Sequence, residues 1–313
     1  GRISIKIGEK EVDIRVSAVP CAFGERLVLR LLDRSSAMLG LEDLGFSQED
    51  LARYDKLIRR PNGIILLTGP TGSGKTTTLY ASLSRINSED KNIITVEDPI
   101  EYRLHGVGQI QVNPKVGLSF ANGLRSILRQ DPDVIMVGEI RDRETAEIAV
   151  QASLTGHLVF STLHTNDAPS ALTRLLDMGV EPYLVASTLY AVIAQRLVRT
   201  LCAHCKEAAP LDRAVLEEMV GVASLPSSLP DELYTAKGCD TCLQSGYLGR
   251  TGIYEMLIID EMVEHSSILR QHDAKVIKKE AVARGMHTLL DDGVGKVLEG
   301  ETTLEEVLRV TQE

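Results

Sequence analysis

The stretch GPTGSGKTT, Gly69 to Thr77, fits the pattern G-x-x-x-x-G-K-[ST] in full. It follows an apolar run, GIILLT, and opens a helical one, TTTLYASLSRI, which is the strand–loop–helix context the pattern requires. Gly69, Gly72 and Gly74, with Pro70, Thr71 and Ser73 between them, let successive backbone N–H groups turn toward one anionic centre. The helix that follows adds its positive end. Lys75 then places a cation at the β and γ phosphates of a nucleotide, Thr76 offers a hydroxyl to Mg²⁺, and Thr77 completes the first turn.

Two more apolar runs end in acids. ITVEDPIEY (94–102) delivers Glu97, Asp98 and Glu101 to the end of a strand, where open α/β sheets bind their ligands. Three carboxylates there need a cation or a proton to offset them, and their types alone leave open which one acts. DPDVIMVGEIRD (131–142) fits a Walker B element, an apolar strand that sets an acid beside magnesium or its waters. Gly138 stands where the terminal Asp is usual, so Glu139 is expected to work through water. His157 and His164 bracket the run LVFSTL, and both are expected to sense phosphate and couple it to motion.

Four of the five cysteines form two pairs, Cys202-x-x-Cys205 and Cys239-x-x-Cys242, with residues 206–238 between them. Each pair turns two thiolates to one point, and two pairs make the tetrahedral S₄ set that suits Zn²⁺. Such a set is structural because it leaves no position open for water. A helix over LDRAVLEEMVGV is expected in the intervening segment. The strand-then-helix pattern of a redox CxxC motif is missing. His204, inside the first pair, is not needed as a ligand, and Cys21, standing alone, is expected to be a small buried residue.

These residues need a frame to hold them. Apolar runs at 63–68, 92–98, 133–139 and 157–164 alternate with helical stretches, the pattern of an α/β fold with a parallel sheet wrapped by helices. Residues 3–32 alternate as a three-strand meander, and a helix capped by Ser47 carries Leu51, Tyr54, Leu57 and Ile58 on one face. After about residue 200 come the cysteine segment and a mostly helical tail. At 313 residues the chain is long enough for two domains. It has no run near the roughly 18 apolar residues of a membrane span. Its net charge of −10 argues against a nucleic-acid grip. It opens GRISIKIG, without Met and already reading as strand, so an upstream segment is expected.

Taken in order, GPTGSGKTTT, ITVEDPIEY, MVGEIRD and GHLVFSTLHTNDA resemble the Walker A, Asp box, Walker B and His box of the secretion ATPase superfamily, the ring motors of type II secretion and type IV pili. The resemblance covers essentially the whole chain, and GRTGIYEML and TTLEEVLRVT resemble the type II secretion branch. It implies a RecA-like P-loop domain over 59–313, with a zinc segment at 202–242 and a helical tail at 250–313. Residues 1–34 would be the end of a partial N-terminal α+β domain, and 35–58 a linker with a helix. ATP would lie between the domains, beside a neighbouring subunit. The resemblance also implies that Arg15 and Arg30 reach nucleotide phosphate, with Arg26 a weaker third candidate, and that Glu101 activates water with Glu97 in support. It implies a hexameric ring in the cytoplasm. The ring would be recruited to the inner membrane by a secretion platform and by the cytoplasmic domain of an anchor protein, where hydrolysis would power pseudopilus assembly. A pilus-assembly ATPase is the alternative within the superfamily. A nucleic-acid translocase is the alternative of another class, and no nucleic-acid partner is expected.

Overall fold

The computed structural model describes residues 1–7, 10–33, 39–211, 213–220, 225, 229–259 and 273–312. It divides into two compact units, residues 1–39 and 40–313. The first is an antiparallel meander of β1 (Arg2–Ile7), β2 (Lys10–Cys21) and β3 (Gly24–Asp33). The expected alternation holds there. Arg15 pairs with Arg30 in the register of β2 and β3, and along β3 Leu27, Leu29 and Leu31 fall on the face opposite Arg30. Cys21 ends β2 exposed, against the expectation of burial, because it pairs with Gly24 at the tip of the hairpin, beside the two-residue turn into β3.

The second unit is organised around a seven-stranded sheet. Its strands are β4 (Gly63–Thr68), β5 (Ile93–Glu97), β6 (Val107–Gln111), β7 (Val134–Val137), β8 (Leu158–Leu163), β9 (Leu189–Leu201) and β12 (Tyr247–Ile258), in the order β12-β9-β4-β8-β7-β5-β6. All neighbours are parallel except β12, which runs antiparallel to β9 at one edge. The four apolar runs read from the sequence are β4, β5, β7 and β8. Both faces of these strands are covered, which is why they lack polar alternation.

The pleat sends alternate residues to two separate cores. Ile64, Leu66, Ile135, Val137 and Val159 point to one side, and Ile65, Leu67, Met136, Leu158 and Phe160 to the other. Helices α3 (Phe120–Ile127), α4 (Arg143–Leu154) and α5 (Ala168–Asp177) cover the first side; α1 (Gln48–Leu57) and α2 (Lys75–Ile86) cover the second. Ser47 caps α1 as its sequence predicts, accepting from the Asp50 amide.

The chain then continues through α6 (Pro182–Thr188), β9, a small hairpin of β10 (Glu207–Pro210) and β11 (Glu232–Thr235), and β12. α7 (Arg213–Val220) lies between the hairpin strands, within the segment expected to be helical. The tail expected to be helical from residue 250 opens instead with strand. Thr251–Ile258 extend β12 and pair in full register with β9, because GIYEMLI is a short apolar run that finds an open sheet edge. Helix follows in α8 (Ala274–Ala283), α9 (Leu289–Leu298) and α10 (Leu304–Thr311).

Candidate nucleotide site and cysteine centre

β4, β8, β7 and β5 are neighbours and parallel, so the loops leaving their carboxyl ends lie side by side. Those loops carry Lys75, His164, Glu139 and Glu101 in that order across the sheet. This is the edge at which parallel α/β sheets bind ligands.

The loop from Gly69 to Gly74 is lined by backbone rather than by side chains. Gly69 and Gly74 adopt φ of +146° and +91°. A Cβ at Gly69 would lie 2.5 Å from the Gln195 carbonyl oxygen, and one at Gly74 2.7 Å from Gln195 Nε2, so both positions exclude a side chain. Gly72 has φ +84° and open space around it. Ser73 Oγ is buried without a hydrogen-bond partner. The N-terminus of α2 has no side-chain cap, whereas Ser119, Asp142 and Asp167 cap α3, α4 and α5. Uncapped N–H groups, an orphan hydroxyl and a lysine fit a phosphate chain. Lys75 Nζ donates to the carbonyls of Gly69 (2.6 Å) and Pro70 (3.0 Å). Burial, with Arg196 nearby, brings its pKa down to about 8, opposed by Glu139. Thr76 is exposed on the first turn of α2, open to a cation or its waters, and Thr77 is half-buried behind it.

Glu139 leaves β7 beside Arg141, with which it pairs, and lies 3.6 Å from His164 Nε2. Burial lowers the His164 pKa, and Lys75 and Arg141 push the same way against the pull of Glu139. His164 therefore belongs with the phosphate loop. His157 does not. It precedes β8 at the opposite edge of the sheet, about 20 Å away at roughly 3.3 Å per residue. Its Nδ1 lies 2.8 Å from the Ala152 carbonyl and 3.1 Å from Thr155 Oγ1, closing the turn out of α4. The expectation that both histidines read one phosphate fails because a strand puts its two ends on opposite sides of a sheet.

The three acids of the 94–102 run differ in burial and in partners. Glu97 is buried and engaged by Thr95 Oγ1 (2.5 Å), Gln109 Nε2 (3.0 Å) and the Tyr80 hydroxyl. Asp98 is exposed, and Glu101 is half-buried on the loop that follows. Sequence reasoning missed Tyr80 and Arg196. Arg196 is buried behind Gly69 and donates to the carbonyls of Asn166 (2.8 Å) and Gln195 (3.1 Å). The pair Gln195-Arg196 inside the apolar run AVIAQRLV was a legible signal. Tyr80 looks like any core aromatic.

β9 carries the chain onward from the loop edge. Ala194 pairs with Thr68, and Cys202 comes eight residues later, about 26 Å at strand spacing. There the four sulfurs of Cys202, Cys205, Cys239 and Cys242 lie within 4.8 Å of one another. Three pairs stand at 3.8–3.9 Å. Four thiolates at about 2.3 Å from a zinc ion would be about 3.8 Å apart, so this donor set fits Zn²⁺. Backbone N–H groups of Cys239 and Gly246 point at Cys242 Sγ, each at 3.2 Å. Against the opposing effect of burial, they hold its thiol below the ordinary value.

The chain is similar to known proteins in sequence and in fold. The family model described as "Type II/IV secretion system protein" matches residues 1–309. The chain is 58% identical over 313 residues to the type II secretion system protein E of Pseudomonas aeruginosa, and 53% identical to the type II secretion system ATPase E of Vibrio cholerae. In both cases all of this chain aligns with 61% of the relative, so it spans about three-fifths of their length. Among solved structures, the pilus retraction motor PilT with bound ADP superposes with a TM-score of 0.70 at 27% identity, covering 100% of this chain and 78% of that one. The Legionella pneumophila ATPase DotB gives 0.70 at 22% identity, covering 100% and 76%, and shares the fold. The chain belongs to the type II/IV secretion system protein family.

Proposed function

We propose that this chain is the ATP-hydrolysing part of a type II secretion motor, working as a hexameric ring that powers pseudopilus assembly. The observation that carries the reading is the placement of Lys75, His164, Glu139 and Glu101 after the carboxyl ends of four neighbouring parallel strands, beside the glycine-lined loop Gly69–Gly74. ATP is the substrate. Lys75 exchanges its two loop carbonyls for phosphate oxygens, and the uncapped amides of α2 receive the rest of the anion. Glu101 orients water and takes its proton. When bound, Mg²⁺ neutralises the phosphate oxygens, with Thr76 and Glu139 holding it or its waters. His164, between Lys75 and Glu139, registers loss of the γ-phosphate. Arg15 and Arg30 are the guanidinium groups proposed for the charge that develops during transfer. Zinc on the four cysteines is structural, since four thiolates fill its shell.

No helix among the described residues is long and apolar enough to cross a membrane. The proposed location is the cytoplasm, peripheral to the inner membrane through platform and anchor proteins. A site completed by a neighbouring subunit makes activity depend on assembly. ATP turnover per chain should climb with protein concentration, with Lys75→Ala inactive throughout. A rate per chain that stays flat at all concentrations contradicts the shared site.

A further inference from the structure

Tyr80 lies on α2 about 1.4 turns after Lys75, fully buried. Its hydroxyl donates to the Glu97 carboxylate and accepts the backbone N–H of Glu101 at 3.3 Å. Gln109 Nε2 lies 3.4 Å from the same oxygen and 3.0 Å from Glu97. The ring packs edge-on against Tyr102, centroids 4.5 Å apart at 82°. Glu97, buried and engaged by three donors, is therefore an anchor rather than a reactant. What it anchors, through the phenol, is the backbone of Glu101, the last of the three acids.

We propose that Tyr80 is a positioning residue for ATP hydrolysis, its hydroxyl tying the Glu101 backbone to the helix that begins at Lys75. The water-activating carboxylate and the phosphate-binding lysine then move as one body, across a loop that would otherwise let Glu101 drift. The inference rests on the water-activating role of Glu101 proposed above. Burial and the adjacent Glu97 push the phenol well above its ordinary pKa, so the hydroxyl keeps its proton at working pH. A merely structural tyrosine would fill the same core volume. The distinguishing feature is the partner of its oxygen, the amide of Glu101.

Tyr80→Phe keeps the ring and deletes the tie. Turnover and equilibrium affinity for a non-hydrolysable ATP analogue should be measured for Tyr80→Phe, Glu101→Gln and the double variant, all in the assembled protein. Misplacement of a reacting group by about 1 Å costs on the order of 100-fold. Tyr80→Phe should therefore lower kcat about 10- to 100-fold with affinity within about twofold, and change Glu101→Gln by less than about twofold. Unchanged kcat beside an inactive Glu101→Gln overturns this inference alone. So does a loss that appears in affinity rather than kcat, or one that persists in full on Glu101→Gln. Near-normal turnover of Glu101→Gln by itself removes the assignment of Glu101, and this inference with it. Amide exchange at Glu101 in the unaltered protein needs no variant. Protection comparable to the β5 amides is expected, and exchange at free-loop rates overturns the tie.

Discussion

The phosphate loop and the cysteine centre are built on neighbouring strands, β4 and β9, and each gathers polar groups around one point. They differ in what is left over. Four sulfurs within 4.8 Å of one another, three pairs of them at 3.8–3.9 Å, would fill the four positions of a zinc ion and leave none for a further ligand. The loop leaves a buried Ser73 hydroxyl without a partner, an uncapped helix, and a lysine turned onto its own carbonyls. A closed set of donors holds structure together. An open one is held ready for a molecule that comes and goes.

The strongest way to break this contrast is at the cysteines. Cys202→Ser with Cys242→Ser should remove one bound zinc per chain and lower Tm by about 10 °C, a loss on the order of 4 kcal/mol. ATP-analogue affinity should stay within about twofold, measured below the new Tm. A large loss of affinity with little loss of Tm would reverse the assigned roles. Absence of zinc from protein purified without chelator would remove the centre altogether.

A subtler effect falls on Lys75. Its pKa near 8 in the ligand-free protein means that the cation phosphate needs is lost as pH rises through that value. Affinity for the ATP analogue should fall about tenfold between pH 7 and pH 9, and Lys75→Ala should abolish that pH dependence. The stability effect has the opposite sign. The folded value lies below the unfolded value of 10.5, so this group's cost to the ligand-free fold is full below about pH 8 and fades as pH rises toward 10.5. A flat affinity profile would mean that Lys75 keeps its proton to pH 9, and loss of affinity in Lys75→Ala at pH 7 separately tests its contact with phosphate.

The two histidines sharpen the contrast at smaller scale, because they flank the same strand, β8, at opposite ends. His164→Ala should slow turnover about tenfold. His157→Ala should leave turnover within about twofold and cost about 1 kcal/mol of stability by melting, for its lost turn contacts. Equal effects on turnover would contradict the placement of His157.

What was legible beforehand divides along a physical line. Local signals carried the phosphate loop, the four buried parallel strands, the Ser47 cap and the cysteine pairs, since each depends on residues close together in the chain. His157 was misplaced because spacing says that two residues flank a strand, not that the strand holds them apart on opposite edges. Thr251–Ile258 was taken into a helical tail because a short apolar run pairs as strand only where a sheet edge awaits it. Tyr80 stayed hidden for a third reason. Its oxygen matters through Glu97 and Glu101, which approach α2 only once β5 is in the sheet beside β7.

The central claim is that the open loop edge binds ATP and cleaves it, with Glu101 activating the water. Its most direct test measures bound ATP and phosphate release together, on unaltered protein and Glu101→Gln at matched concentration. The account predicts that Glu101→Gln binds ATP with affinity within about twofold of the unaltered protein and releases phosphate at least about 100-fold more slowly. Phosphate release near the unaltered rate, with ATP bound normally, would contradict it.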